Sequence, residues 1–392
     1  MGKLSETGKN LNQNNKLAVV LLIALASVSA GFFGGYFGGQ ANRDISTNRD
    51  QQAQIIKDEG NLITQIAREV GPGVVSVNVT SQSTVSTFFG PQSTTQESAG
   101  TGFIVSEDGV IVTNRHVIPK SVENVSITLS DGTELTDIEV IGRTAEGDPL
   151  DIAFLKIKDK KGKDLQPVKI GDSTKTEVGD RVIAIGNALG QFQNTVTSGI
   201  ISGYGRNVQA GDSSSSQSVE ALQNLFQTDA AINEGNSGGP LVNMQGEVIA
   251  VNTAVAGGGA ENIGFAIPIS DIKGLIKTVL DTGELKRPYL GIRYVSLTDD
   301  YAYEYNLNTK RGAYIVPSND GVASILDDSP AAKAGLQEKD IITKVNDVSV
   351  DEKNSLTSVL GRFTVGEKVT LTVIRDNKEM KIDATLEAAP TS

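Results

Sequence analysis

The sequence predicts a β-dominated chain of two folded domains behind an N-terminal apolar segment, and three observations carry that prediction. A length of 392 residues holds about two domains at roughly 100–200 residues each. Glycine occurs 42 times, which suits turn-rich β structure. Short β-branched runs cover 74–79, 102–105, 110–113, 125–129, 152–157, 181–185 and 246–253, separated by Gly, Asn, Asp and Ser. That close spacing is the pattern of a sandwich or barrel.

The first element is the apolar segment. Lys3, Lys9 and Lys16 precede the nearly uncharged stretch 17–39, whose most apolar part is 17–26. Such a stretch spans a hydrocarbon core of ~30 Å. The lysines, set against the mixed flank of Arg43, Asp44, Arg49 and Asp50, predict the N-terminus inside and the body outside the membrane. Small residues Ser27, Ser29 and Ala30 offer a rival reading as a cleaved signal peptide. Phe32, Phe33, Tyr36 and Phe37 carry the apolar character past that point and favour a retained anchor. The chain is thus divided into a cytoplasmic 1–16, an anchor 17–39, and a polar stalk 40–60 with helical character around 51–57. A first domain follows at 61–282 and a second at 286–388.

Within the first domain, helical periodicity is confined to 62–70 and 270–280, and two low-complexity loops are expected at 81–98 and 208–218. Phe88-Phe89 lies in the former, as a locally packed tip or a docking point. The second domain opens after Arg287 and Pro288, with strands at 312–316, 340–345 and 369–375 and helices at 330–334 and 352–361.

Composition excludes several chemistries. A net charge of −12 without a basic run in the soluble part speaks against nucleic acid, whose phosphates need clustered Lys and Arg. The absence of Cys removes thiol nucleophiles, Cys zinc sites and disulfides. The acidic residues lack calcium-loop spacing. The glycine run 257–259 lacks the Gly-Lys-Ser/Thr of a phosphate loop. No metal and no cofactor are expected. His116 is the single histidine, so any imidazole chemistry depends on it.

The segment T-D-A-A-I-N-E-G-N-S-G-G-P at 228–240 sets Ser237 among residues without Cβ atoms. Its backbone can then aim the N–H groups of Gly235 and Ser237 at one point, forming an oxyanion hole worth about 3–4 kcal/mol per donor. A serine needs a base, and His116 stands in T-N-R-H-V at 113–117. The base needs an orienting carboxylate, and Asp151 opens the apolar run D-I-A-F-L-K-I at 151–157. Each signal alone has an ordinary reading as a turn, an incidental histidine or a strand start. Together they occur in the order His, Asp, Ser, which excludes the subtilisin and α/β-hydrolase orders and leaves a chymotrypsin-like double β-barrel.

These three segments resemble the catalytic segments of the HtrA/Deg serine protease family, and the resemblance covers nearly the whole chain. It implies an all-β-dominated fold: a chymotrypsin-like double barrel, a small α+β PDZ domain, and an N-terminal transmembrane helix. It also implies an ATP-independent endoprotease for misfolded exported proteins, assembled as a homotrimer or a multiple of trimers. The triad falls on His116, Asp151 and Ser237, and the oxyanion-hole amides on Gly235, Asn236 and Ser237. The stretch G-N-A-L-G at 186–190 departs from the family's usual G-N-P-L-G, which loosens that turn without touching a catalytic role. In the trypsin fold, six positions before the serine lies the floor of the specificity pocket. Here that is Ala231, with Ile232 beside it, so cleavage is expected after Val, Ala or Leu rather than Lys or Arg.

Tyr289-Leu290-Gly291-Ile292 resembles the PDZ loop that binds a C-terminal carboxylate through backbone N–H groups, with the helix at 354–360 flanking the groove. The expected partners are unfolded or misfolded proteins, their C-terminal peptides, and the membrane. The working site is extracytoplasmic, in a periplasm or at the cell exterior. Two other functions share these features: a weakly proteolytic chaperone or binding scaffold, and an esterase, which the PDZ unit fits poorly.

Overall fold

The computed structural model describes residues 13–392 except 88–89, 147, 189–191, 211–219, 234, 256–261, 319–322 and 390–392. It divides into two compact units, Met1–Leu62 and Ile63–Ser392. In the first unit the described residues, 13–62, all lie in helix α1 (Gln13–Val70), which runs without a break. No proline interrupts this helix. Its glycines each cost only about 1 kcal/mol relative to Ala, so the expected stalk continues the helix. Within it, Ala18–Tyr36 has a mean hydropathy of 2.1 and no buried residue.

In the second unit, among the described residues, two seven-stranded sheets come first. One sheet holds β1 (Val74–Thr87), β2 (Gly90–Ile104), β3 (Val110–Thr113), β4 (Val122–Thr128), β5 (Glu134–Leu135), β6 (Ile138–Arg143) and β7 (Ala153–Ile157), in the order β5-β4-β1-β2-β3-β7-β6. The other holds β8 (Lys169–Ile170), β9 (Arg181–Ala188), β10 (Phe192–Ala210), β11 (Glu220–Thr228), β12 (Pro240–Asn243), β13 (Glu247–Val255) and β14 (Gly264–Pro268), in the order β12-β9-β10-β11-β14-β13-β8. An additional β12–β13 pairing closes six strands of this second sheet into a barrel, with β8 left as an end strand beside β13.

Period-two side-chain alternation divides the apolar residues among three cores. On β9, Val182 and Ala184 point into the second barrel with Ile201, Leu241 and Ile249. Ile183 and Ile185 point outward into a shared layer with Val74, Phe103, Phe154 and Val251. Val75, Val77, Ile104 and Leu155 fill the first sheet. Strands buried on both faces explain why these runs are continuously apolar rather than alternating. This is the strand-dominated, chymotrypsin-like double-barrel fold.

The expected loop at 81–98 is instead a ladder, with Ser81 opposite Gln96, Val85 opposite Gln92 and Thr87 opposite Gly90. Polar composition hid it, yet Thr and Val suit extended backbone and the backbone bonds need no apolar face. Phe88-Phe89 and most of the second expected loop lie outside the described residues.

After helix α2 (Lys273–Thr282) come β15 (Pro288–Tyr289), β16 (Tyr294–Ser296), α3 (Asp299–Glu304), β17 (Ala313–Ile315) and α4 (Pro330–Ala334). They are followed by β18 (Ile341–Val345), β19 (Val348–Ser349), α5 (Leu356–Leu360), β20 (Lys368–Arg375), β21 (Lys378–Thr385) and β22 (Glu387–Ala388). A sheet ordered β16-β17-β18-β20-β21 covers its own apolar core of Leu290, Ile315, Leu336, Val359 and Leu371.

The two domains of this unit touch through α5. Asp271, buried just before α2, accepts hydrogen bonds from Ser358 on α5 and from Asn224 Nδ2 at 2.7 Å. The Arg362 guanidinium lies 4.0 Å from the same carboxylate. Burial outweighs these partners and pushes the Asp271 carboxyl up to about 6. The folded protein therefore holds this proton more tightly than the unfolded chain, whose carboxyl titrates near ~4. The stability from this group is complete below about pH 4 and is lost as pH rises through about 6, a change of ~3 kcal/mol. Asp271→Asn should flatten stability across that window, measured by urea unfolding at several pH values; an unchanged slope would contradict it.

Candidate active site

The site sits where the two barrels meet. His116 follows β3 and Asp151 precedes β7, and β3 pairs with β7 so that Thr113 lies opposite Ala153. That register brings the two residues side by side. His116 Nδ1 lies 2.6 Å from Asp151 Oδ2, and the His116 backbone N–H donates to Asp151 Oδ1 at 3.0 Å. Thr253, on β13 of the other barrel, donates its hydroxyl to Oδ2 at 2.7 Å.

Asp151 is fully buried. Burial raises its pKa, but the His116 charge and the hydrogen bonds from His116 and Thr253 outweigh that and hold it below the usual carboxylate range. An anion kept at Nδ1 fixes the tautomer that leaves Nε2 to take a proton. The ring itself is 41% exposed, which opens it to the cleft.

Ser237 lies between β11 and β12, and its loop is tied to both barrels. Its carbonyl accepts from the Thr101 N–H at 2.9 Å, and the Gly238 N–H donates to Asn252 at 2.8 Å. Gly238 has a φ of 83°. A Cβ there would overlap the Thr101 carbonyl and the Thr113 hydroxyl, so only glycine lets the serine loop approach the strand that carries His116. Gly235 has a φ of 108°. Among the described residues, the N–H groups of Gly235 and Ser237 meet no acceptor.

Asn236 departs from the expectation. Its N–H donates to the Asn233 carbonyl at 3.1 Å, so that amide is spent inside the loop rather than presented to an oxyanion. Its side chain braces the same turn, accepting from the Asn233 N–H at 3.0 Å and donating to the Ala231 carbonyl at 3.0 Å. Ala231 is part-exposed, and its carbonyl also accepts from Thr197. Ile232 is 3% exposed and packs in the second barrel's core against Gly264. It is a core residue and not part of an open surface. Leu189 and Gly190 lie outside the described residues.

Tyr289 pairs through β15 with Glu387, while Leu290 enters the second domain's core. The Gly291 carbonyl accepts from Leu326 at 2.9 Å. Among the described residues, the N–H groups of Leu290, Gly291 and Ile292 meet no acceptor in the chain, a run of donors suited to a carboxylate. The bonds of Arg293 and Leu297 toward Ser324, Val316 and Gly312 occupy one edge of this strand. By alternation the amides of Ile292 and Tyr294 face the other. Across that edge the Tyr294 hydroxyl meets Thr357 Oγ1 on α5 at 2.8 Å.

Sequence reasoning missed Thr253 and Arg115. Arg115 is 1% exposed and bonds the carbonyls of Ala145, Asp148 and Leu150, clamping the segment that delivers Asp151. Both act over long sequence separations, and the one available signal was a charged residue directly before His116.

A trypsin-like peptidase domain model matches residues 100–251, and a PDZ domain model matches 288–386. The probable periplasmic serine endoprotease DegP-like of Brucella suis is 41% identical over 294 residues, 74% of this chain and 53% of that protein. The periplasmic pH-dependent serine endoprotease DegQ of Escherichia coli is 39% identical over 299 residues, 76% of this chain and 61% of that protein. The solved HtrA-type protease AlgW with a decapeptide matches at a TM-score of 0.58 and 28% identity, over 84% of this chain and 99% of AlgW.

This chain belongs to the HtrA/Deg family.

It spans between about half and two thirds of the curated relatives' length. For an HtrA/Deg chain with this geometry, Asp151→Asn should keep the fold and lower kcat by about 10³–10⁴ through loss of the correct tautomer. Steady-state kinetics with a chromogenic peptide would show the loss in kcat rather than KM; wild-type kcat would refute the assigned role.

Proposed function

We propose that this protein is an ATP-independent serine endopeptidase that degrades misfolded exported proteins, with a first domain at 61–282 and a second at 286–388. The observation that carries the reading is the short His116–Asp151 contact, joined to a serine loop that packs against the strand end leading to His116 and offers two unpaired amides. In this mechanism Ser237 Oγ attacks the peptide carbonyl while His116 Nε2 takes its proton. The N–H groups of Gly235 and Ser237 hold the resulting oxyanion. His116 then gives the proton to the leaving amine, and water repeats the sequence on the acyl-enzyme. Asp151 holds the imidazolium throughout and stays ionised.

Ala231 at the pocket floor and buried Ile232 behind it present no carboxylate. The nearest acid in the loop, Asp229, accepts from the Ile200 amide. Cleavage is therefore assigned to Val, Ala or Leu sites. The amides of Leu290, Gly291 and Ile292 bind a substrate's C-terminal carboxylate, and the peptide adds as a strand beside Ile292 and Tyr294. AlgW was solved with a decapeptide, which supports a peptide-binding role here. We assign Ala18–Tyr36 as a retained anchor, the catalytic body to the extracytoplasmic side, and the assembly as a homotrimer or multiple of trimers.

The full chain, solubilised in detergent, should degrade unfolded casein, and Ser237→Ala and His116→Ala should each abolish this while remaining folded. No cleavage by the wild type under several activating C-terminal peptides would sink the protease reading. Across a peptide set, turnover after Val, Ala or Leu should exceed turnover after Lys or Arg at least tenfold; the reverse order would overturn the pocket assignment.

A further inference from the structure

We propose that the Thr101 hydroxyl is a positioning residue that holds the oxyanion-binding loop in its working orientation and ties that loop to the strand end at Asn187. The inference rests on the reading of residues 235–237 as oxyanion-binding. Thr101 lies near the end of β2, is fully buried, and does not face the cleft. Its polar atoms nonetheless reach three separate parts of the site. Its backbone N–H donates to the Ser237 carbonyl at 2.9 Å. Its carbonyl accepts from Thr113 Oγ1 at 2.7 Å, at the end of the strand that leads to His116. Its hydroxyl donates to the Gly235 carbonyl at 2.5 Å and accepts from the Asn187 N–H at 2.9 Å.

The direction of these last two bonds matters. A backbone N–H can only donate, so the Asn187 amide takes a lone pair of the hydroxyl and leaves its one proton for a carbonyl. Gly235 supplies that carbonyl. If the peptide between Gly235 and Asn236 turned over, the hydroxyl would face two donors and lose its acceptor, in a place without solvent. Glycine at 235 imposes no side-chain barrier to such a rotation, so the restraint must come from hydrogen bonds: the Asn233 carbonyl holds the N–H end of this peptide and the Thr101 hydroxyl holds its carbonyl end. That peptide lies between the two whose N–H groups are open, so fixing its plane sets ψ at Gly235 and φ at Asn236 and thereby limits how the Gly235 and Ser237 N–H groups can turn.

Asn187 strengthens the argument. It is fully buried, and among the described residues its side-chain oxygen and nitrogen meet no partner. Its backbone bond to Thr101 is therefore a polar tie that its own side chain does not duplicate. Gly186 beside it packs on Asn236 and on the Gly235 carbonyl. Movement at the end of β9 therefore reaches the oxyanion loop by the packing of Gly186 and, as a polar tie, by the Thr101 hydroxyl.

The test uses the detergent-solubilised full chain, a chromogenic peptide cleaved after Val, and the variants Thr101→Val, Thr101→Ser and Thr101→Ala. Val keeps shape and removes both hydroxyl bonds; Ser keeps the bonds and loses a methyl. Thr101→Val should lower kcat by about 10–100-fold, less than the ~10²–10³ seen when an oxyanion donor is removed outright, with KM within about threefold. Thr101→Ser should recover kcat to within about threefold of wild type. Wild-type kcat in Thr101→Val, equal losses in Val and Ser, or a loss confined to KM would each overturn the proposal. Should Thr101→Val fail to fold by thermal unfolding, Thr101→Ala is judged by the same criteria. Wild-type turnover that Ser237→Ala abolishes secures the site first. A wild type without turnover removes the protease reading and this inference together, whereas an unimpaired Thr101→Val removes this inference alone.

Discussion

A single buried negative charge organises the active site. Taking the Asp151 carboxylate out of water costs several kcal/mol unless it is fully hydrogen-bonded. The protein meets that need from both barrels at once. The His116 ring and backbone N–H come from the first barrel, and the Thr253 hydroxyl comes from the second. The charge therefore couples barrel docking to imidazole orientation. Neither barrel alone satisfies it, so correct assembly and correct tautomer are one event.

The serine loop obeys a complementary constraint. Asp151 demands donors, whereas the loop must keep two donors unpaired for a reaction that has not yet begun. Unpaired amides are costly when buried, so they are placed at a cleft edge while their neighbours are committed. The Asn236 amide and side chain are spent on the turn itself. The carbonyls of Gly235 and Ser237 are taken by Thr101. On the proposed mechanism, preorganisation consists of committing the neighbouring groups of the loop while, among the described residues, the Gly235 and Ser237 amides stay open.

The PDZ domain likewise leaves three successive amides, of Leu290, Gly291 and Ile292, without an acceptor among the described residues. Its helix α5 has two neighbours, since Thr357 meets Tyr294 across the groove and Ser358 meets Asp271 of the protease domain. Consecutive residues on one short helix thus face the peptide groove and the domain interface. A displacement of α5 by a bound peptide would be felt at both faces, because a packed helix moves as a unit.

Much of this was legible in the amino-acid order. The single histidine, the glycines around Ser237 and the acid before an apolar strand named the chemistry, because catalysis constrains residue type at short range. Strand β3 and helix α4 match their expected bounds, since turn residues mark their ends. The paired strands at 81–98 were not legible. Polar ladders are stabilised by backbone bonds, which carry no side-chain pattern. Nor could the sequence alone show that the Asn236 amide turns inward, that Ile232 is a core residue, or that Thr101 and Thr253 serve the site. The Asn236 turn is local, but its direction is a matter of backbone dihedrals that side-chain types do not encode. Thr101 and Thr253, by contrast, act across more than a hundred positions, which leaves no local periodicity to read. The sequence by itself determined the candidate groups, because chemistry constrains residue type at short range; the tertiary structure decided which of them are committed to the fold and which stay open, because that depends on contacts between distant strands.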